Sequence, residues 1–589
     1  MKMDRIEFEI IRSALYAVAR EMKIAMMRTA ASPVIHSGGD ASAAIFDAHM
    51  QLVAQGNDIP TMMGSAVIST RASVEAVGVA NLRPGDVIVS NDAYLGGGNH
   101  QPDVQFTRPV FVDGEIVAYT MTRGHWQDIG GASPNSGTLA TWDIFGEGLR
   151  IPPVLLFRED RPVPDLMTLI TQNTRDPGNR ALDIQAQYAG TYVGDRRLAE
   201  LAGKWGKAAL AEAMRESLDY SERLMRKQIQ AIPDGVYEGS DFIEPIGEGA
   251  GAGEPVPIRV KITVQGERIV FDYTGSGPQV RGGLNCPLSV TCNSTWYTVK
   301  ALTDPGIPIN QGCYRPIEIV APPGSILNCQ YPASVVGGNT ATSQRVIDML
   351  LTALAPAVPE RVIAQSHGTA GSLWFGGDDP DEARCRALRR RFASAGGVNP
   401  GGMGARPGKD GVNAVRTHIG NAGTISVEQT EYTAPVLVEA WRLVADSGGA
   451  GRWRGGLTAE RSYLVEYEQA SCTVGSERAR YAPQGLFGGL PGARYECRIL
   501  RGDGAVEPVP PKGSARVVHR GDRVRIHSAG SGGYGDPFER EPERVLDDVR
   551  NGYVSVEEAY RSYGVAVRAD LGGIDAEATR ALRAGRRAA

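Results

Sequence analysis

Val87-Ile-Val-Ser-Asn-Asp-Ala-Tyr-Leu-Gly-Gly-Gly-Asn-His-Gln-Pro-Asp103, continued through two β-rich runs and closed by Arg123-Gly-His-Trp-Gln-Asp128, gathers the side chains best suited to hold a metal ion. Two of the chain's eight histidines, His100 and His125, lie in it. Between them, Val104 to Val112 and Glu115 to Thr122 read as strands joined by Asp113-Gly114, a dipeptide that favours a two-residue type I′ turn. Continuing the pairing from Val112 opposite Glu115 sets His125 opposite Pro102, within a residue or two of His100 and Asp103. Alternation then puts His100 and His125 on one face and Asp103 on the other, unless Pro102, which cannot donate to a ladder, breaks the strand. We take it to do so. Imidazole plus carboxylate with an open position suits Zn²⁺, Mn²⁺ or Fe²⁺ rather than a closed structural site. From the residues alone, a His-x-x-Asp surface or capping contact remains the alternative.

Outward from this stretch, 589 residues exceed what one hydrophobic core serves, and an apolar fraction of 42% fills several. A net charge of −5 with acids and bases interspersed gives no footprint for nucleic acid or for an anionic membrane surface. With no signal-peptide pattern and no long apolar run, the expected location is cytoplasmic. Seven scattered cysteines without a C-x-x-C pair read as reduced thiols. The 73 glycines and 36 prolines point to many turns and long ordered loops.

The chain opens with a helix from about Arg5 to Thr29, whose stripe Ile11, Leu15, Val18, Met22 and Met26 is core material. After Ser32-Pro33, Asp40 stands at the entrance of a strand from Ala43 to Asp47, where an acid also bonds turn amides. Helices follow at about 181 to 203 and 207 to 231, then strands at 258–264, 267–273 and 317–321 and a helix from Thr342 to Leu354. Gly337-Gly-Asn-Thr before that helix reads as a cap, with an anion site as the alternative. The glycine-dense loop at 395–411 lacks the spacing of a phosphate-binding loop, and Lys409 is followed by Asp410 rather than Ser or Thr. Gly530-Ser-Gly-Gly-Tyr-Gly535 fits G-x-G-x-x-G by letter, but Asp536-Pro537 follows where a phosphate-facing helix should start, so it reads as a structural turn. The division expected is 1–233, an N-terminal metal-binding domain; 234–340, β-rich; 341–540, an α/β domain with Gly-rich loops; and 541–589, a peripheral helical tail rich in arginine.

A series of segments resembles the hydantoinase B/oxoprolinase family over nearly the whole chain. The segments are Asn91 to Asp103, Gly124-His-Trp-Gln-Asp-Ile-Gly-Gly, Glu147-Gly-Leu-Arg-Ile-Pro-Pro, Asp446-Ser-Gly-Gly-Ala-Gly-Arg-Trp-Arg-Gly-Gly, Gly532-Gly-Tyr-Gly-Asp-Pro and Asp548-Val-Arg-Asn-Gly-Tyr-Val-Ser. The resemblance implies a mixed α/β (α+β), β-rich, multi-domain fold of hydantoinase B type. It implies a divalent metal on Asp40, His100, Asp103 and His125, and a separate hydantoinase A-type partner that uses ATP and Mg. The chain departs from the family's usual residues at Ala41, Ala93, Asn99, Gln101 and Trp126, which bears on the pocket's shape and hence the substrate.

The activity this resemblance implies is that of an ATP-dependent hydrolase of a cyclic amide such as a hydantoin, lactam or 5-oxoproline. The partner phosphorylates the substrate's enol form, and the metal held by this chain activates water. Asp128 and Glu147 are candidates for acid/base or supporting work, with plain hydrogen-bonded loop carboxylates as the alternative. A ketone carboxylase component and a non-catalytic scaffold for the ATPase are the other readings.

Overall fold

Asp4 starts the first helix, α1 (Arg5–Thr29), by accepting hydrogen bonds from the amides of Ile6 and Glu7, and the expected stripe from Ile11 to Met26 is buried. The computed structural model describes residues 3–56, 58–136, 139–247, 253–420 and 422–588, apart from the side chains of 136 and 586–588. A short helix, α2 (Pro33–His36), leads into β1 (Ala41–Asp47) and β2 (Leu52–Gln55); α3 (Pro60–Val77) precedes β3 (Val87–Ser90), β4 (Asp103–Val112) and β5 (Glu115–His125). With β6 (Val154–Arg158) and β7 (Arg161–Pro162) these strands form one antiparallel sheet ordered β2-β1-β5-β4-β3-β6-β7. Alternate residues feed two cores. Ala43 and Ile45 pack with Leu15 and Met22 of α1, while Ala44, Phe46 and Met121 pack with Met63 and Ala66 of α3.

The β4–β5 hairpin forms on its Asp113-Gly114 turn, but its register differs from the expected one. Val112 pairs with Glu115 and Phe111 with Ile116, whereas Val110 pairs with Ala118. Val117 is therefore an extra residue, a β-bulge, and every later pair moves by one. His125 lies opposite Asp103, not Pro102. The bulge, rather than a break at Pro102 alone, puts His125 and Asp103 on one face.

Helices α4 (Pro164–Gln172), α5 (Pro177–Trp205) and α6 (Lys207–Gln230) follow, α5 against α1 and the sheet. Next come β8 (Gly235–Ile243), β9 (Val256–Gln265), β10 (Arg268–Asp272), α7 (Leu288–Ala301), β11 (Ile317–Val320) and α8 (Ser343–Leu354). The strands order β11-β10-β9-β8, with β11 parallel to β10. One core joins Ile258, Ile262 and Phe271 of this sheet to Val346 and Leu350 of α8, so the division expected at 340 falls inside a single core. Before α8, the amides of Gly337 and Gly338 both donate to the Gly283 carbonyl, which leaves neither for an anion.

The remainder is mostly antiparallel β: β12 (Ser372–Asp378), α9 (Glu382–Leu388), β13 (Phe392–Val398), α10 (Val427–Thr433), β14 (Val436–Leu443), β15 (Ala459–Val465), β16 (Gln469–Gly475), β17 (Glu496–Leu500), β18 (Val506–Pro508), β19 (Arg516–His519) and β20 (Arg523–His527). Sheets β13-β12-β16-β19 and β14-β15-β20-β17-β18 share a core that includes Phe375, Val474, Tyr463 and Ile526. The glycine loops stack on each other: Gly530 donates to Ala493, Gly532 to Gln365 and Gly535 to Leu486. At Gly402 a Cβ would lie 2.0 Å from the Gly456 carbonyl, a distance only glycine tolerates. Three helices end the chain, α11 (Pro542–Arg550), α12 (Val556–Tyr563) and α13 (Ala576–Ala588). Arg583 of α13 donates to the carbonyls of Arg540 and Tyr563, so this part of the tail is docked rather than simply solvated. Among the described residues no helix is long and apolar enough to cross a membrane.

Candidate metal centre

Three adjacent strands supply one row of side chains. β1 pairs Ala41 with Gly124, β5 pairs His125 with Asp103, and the His125 amide donates to the Asp40 carbonyl at 3.0 Å. Asp40, His125 and Asp103 thus follow one another across the sheet on the face that α3 covers. His100 arrives from the turn before β4, its carbonyl accepting from the Asp103 amide at 3.1 Å. That turn runs close under α3: at Gly97, with φ at 62°, a Cβ would sit 2.9 Å from Ile68 Cγ2.

One potential ligand atom from each of His100, Asp103 and His125 lies within 4.8 Å of the other two. His100 Nε2 is 3.1 Å from Asp103 Oδ2, and the two imidazole centroids are 5.3 Å apart. All are largely withdrawn from water, yet His100 Nδ1, His125 Nδ1 and Asp103 Oδ1 have no hydrogen-bond partner. Buried polar atoms ordinarily find one, so each residue of this close-set group keeps unfilled hydrogen-bonding capacity. Two imidazoles and a carboxylate are the donor chemistry that a zinc-, manganese- or iron-type ion accepts.

Electrostatics prepare the same residues. Burial pushes His125 below the ordinary imidazole range, which keeps it neutral with a lone pair free. Burial alone would raise the Asp103 carboxyl, but His100, His125 and Arg123 together hold it below the usual range. His100 is pushed down by burial and up by Asp103, and the balance is upward. Asp103 is also held in place. Asn99 Nδ2 donates to its Oδ2 at 2.7 Å, and Asn99 Oδ1 accepts from Arg123 Nη1 at 2.9 Å and from Ser65 Oγ at 3.1 Å. Arg123, buried and pushed down to about 10 by its desolvation, donates further to Met62 O and Ser69 Oγ.

The other expected residues are placed differently. The Asp40 carboxylate lines the same cavity but is not one of the close-set ligand atoms, so three of the four expected ligands come together. Asp128 accepts from the amides of Gly130, Asn135 and Arg175 and pairs with the Arg175 guanidinium at 2.9 Å, beside a separate small hollow. Glu147 Oε1 accepts from Ser334 Oγ and the amides of Val335 and Val336, and burial raises its carboxyl. Both hold loops together, and neither lines the cavity above the histidines.

That cavity, about 120 Å³, is bounded by the N-terminal sheet, α8 and the segment 416–430. Besides Asp40, His100, Asp103 and His125 it meets Arg416 and Gln344, which carry no motif that marks them in the sequence. A family model described as hydantoinase B/oxoprolinase matches residues 4–537. The chain belongs to the hydantoinase B/oxoprolinase family. It is 32% identical to the beta subunit of the caprolactamase of Pseudomonas jessenii, over 99% of each chain. It is 30% identical to the putative D-/L-hydantoinase B subunit of Pseudomonas sp. (strain NS671), over 99% of this chain and 98% of the relative. A 5-oxoprolinase of Dictyostelium discoideum is also 30% identical, but the match covers 91% of this chain and only 40% of that much longer protein. Among solved structures, the ATP-dependent caprolactamase from Pseudomonas jessenii superposes with a TM-score of 0.89 at 31% identity, over 99% of this chain and 100% of that one. Nucleotide-free acetone carboxylase gives 0.92 at 21% identity, over 100% and 83%, a likeness of fold. The family found is the one its motifs resemble, and the mixed α/β, multi-domain fold is the one expected. A lactam-opening enzyme and a ketone-carboxylating one thus share this architecture.

Proposed function

We propose that this chain is the B-type component of an ATP-dependent enzyme that opens a cyclic amide, working with an A-type ATP-binding partner and holding one divalent ion on His100, Asp103 and His125. The observation that carries the proposal is the convergence of two imidazoles and a carboxylate in the lining of one cavity, each with a buried polar atom left without a partner. The names of the relatives, caprolactamase and hydantoinase subunits, support the substrate class and the partner.

His100, Asp103 and His125 would hold the ion, and the chemistry it would supply there is Lewis acidity toward a carbonyl oxygen or a water molecule. His125, kept neutral by burial, offers a lone pair without first losing a proton. Asp103 brings the negative charge, and Asn99 fixes which of its oxygens faces the histidines. Ile59, Met62 and Ile419 line the cavity and exclude bulk water, which strengthens every charge interaction inside. Asp40 stands at the rim of the triad, within reach of its field, as a further acceptor.

The test combines metal content and turnover. Purified with an A-type subunit and ATP, the wild-type chain should open ε-caprolactam or 5-oxoproline without bicarbonate, and should hold one ion per chain. His100→Ala combined with His125→Ala should lower metal affinity and turnover by about 100-fold or more while the chain still folds. The exposed His49→Ala and His519→Ala controls should change neither. Full metal occupancy in the double variant would place the site elsewhere, and an absolute need for bicarbonate would make the enzyme a carboxylase.

A further inference from the structure

Arg416 lies on the wall of the cavity; its buried Nε has no hydrogen-bond partner, and among the described residues its guanidinium makes no ion pair. Its charge is felt by Asp40 and by His125 without an ion pair forming, so it stands over the metal triad rather than in it. A guanidinium left without an anion in a desolvated place costs stability, and folds keep one there when something else completes it.

The backbone on both sides of Arg416 is held tightly. Val415 exchanges hydrogen bonds with Gly401, at 2.8 and 3.3 Å. His418 Nε2 is 3.1 Å from Asp348 Oδ1, and the buried Asp348 also accepts from Arg478 Nη2 and, at 3.1 Å, from the Ser366 amide. Ala414 and His418, two residues before and two after Arg416, both adopt left-handed backbone, with φ at 47° and 53°. Two non-glycine residues in that region within five positions mark a segment whose shape is imposed by its surroundings.

A second unpartnered group adjoins it. Gln344 of α8 is 1% exposed and lines the same cavity, and among the described residues its side chain makes no hydrogen bond, so its Nε2, the atom nearest Gly420, has its N–H groups free. Gly420 separates the two: a Cβ there would lie 3.4 Å from Gln344 Nε2 and 3.7 Å from Arg416 Nη2. The absence of a side chain at 420 leaves open the space that both nitrogens border.

We infer that Arg416 and Gln344, converging over Gly420, form an oxyanion-binding subsite opposite the His100–Asp103–His125 cluster, so that the substrate presents an anionic group while its amide faces the cluster. A planar guanidinium beside an amide N–H matches the two oxygens of a carboxylate or of a phosphoryl group. Two sources have this chemistry: a carboxylate carried by the cyclic amide, or the phosphoryl group placed on the substrate by an ATP-using partner. The inference rests on the proposed cyclic-amide reading for the identity of the ligand, but the subsite is tested by binding alone.

The experiment is calorimetric titration of the full chain, metal-loaded and chelator-treated, with inorganic phosphate, L-5-oxoproline and the neutral 2-pyrrolidinone. Wild type should bind at least one of the two anions. Arg416→Gln should weaken that binding 10-fold or more, Arg416→Lys should recover part of it, and 2-pyrrolidinone should be indifferent to either change. Gln344→Met, which keeps the helix and the volume, should weaken the same anion about 3-fold or more, and it stands in should Arg416→Gln fail to fold. Loss confined to phosphate identifies the phosphoryl source, and loss confined to 5-oxoproline identifies the carboxylate. The inference is overturned if neither anion binds wild type, or if both variants bind as wild type does. Arg416-dependent binding in a chain that takes up no metal when one is supplied would sink the metal centre and keep the subsite; metal uptake without such binding would do the reverse.

Discussion

Asn99 marks the limit of what single residues disclose. His100, Asp103 and His125 are legible as candidates because few side chains bind a transition metal and the Asp113-Gly114 turn brings them near each other. Asn99, in contrast, reads as one more polar turn residue, and only the fold shows it joining Asp103 to Arg123. Arg416 and Gln344 carry no motif at all; their meaning comes from what they face. The same blindness works in the other direction for Glu147 and Asp128, whose motif positions suggest chemistry while both oxygens of Asp128 and the Oε1 of Glu147 are engaged by loop amides and side chains. If Asn99 orients Asp103, Asn99→Ala should raise the dissociation constant of the metal by about 10- to 100-fold, the range typical of lost outer-shell hydrogen bonds. Stoichiometry at saturating metal should remain one ion per chain. Competition titration against a chromophoric chelator measures this, and an unchanged constant would reduce Asn99 to a packing residue.

At the scale of elements, α1, the hairpin and the α5–α6 pair announce themselves by apolar period and turn chemistry, but α3 and α7 do not. Both are rich in Ser and Thr, which read as loop or turn. Folded, these hydroxyls bond the carbonyl one turn back: Ser65 to Thr61, Ser69 to Ser65, Ser294 to Val290, Thr295 to Thr291 and Thr298 to Ser294. Satisfied in this way, polar side chains are buried where two helices touch, and the helical stripe disappears from the sequence. The Val117 bulge is likewise invisible, since an extra residue in a strand looks like any other. α3 and α7 approach closely at Gly64, where a Cβ would lie 1.8 Å from Asn293 Oδ1 and 2.8 Å from its Cβ. Gly64→Ala should therefore destabilise the protein by about 1–3 kcal/mol, the usual cost of overpacking. Gly203→Ala, on the exposed side of α5 with open space around it, should be neutral or stabilising by up to about 1 kcal/mol. Denaturant titration of the two variants compares them directly, and equal stabilities would mean that α3 and α7 slide apart at no cost.

On the scale of the whole molecule, the candidate site sits where three separately built regions meet: the N-terminal sheet gives the candidate metal ligands, α8 gives Gln344, and the loop before α10 gives Arg416. No such meeting is readable from local pattern, because each region owes its position to cores such as the one joining the second sheet to α8. The molecule's glycine loops bear on the other half of the proposed reaction, the use of ATP. A phosphate-binding loop works by leaving backbone N–H groups free for phosphate oxygens. Here those groups are engaged within the protein. Gly402 donates to Ala529, Met403 to Val412, Gly411 to Arg454, Gly532 to Gln365, Gly533 to Leu490 and Gly535 to Leu486, while Gly337 and Gly338 share the Gly283 carbonyl. Opening any of these loops to a nucleotide would break a buried hydrogen bond for each amide released, at about 1–3 kcal/mol apiece. The chain alone should accordingly show no micromolar affinity for ATP or ADP by calorimetry and no ATPase activity. Both should appear when an A-type subunit is added, and the pair should elute together from a sizing column. Micromolar nucleotide binding by the isolated chain would show that one of these loops opens, and would remove the reason for assigning ATP to a partner.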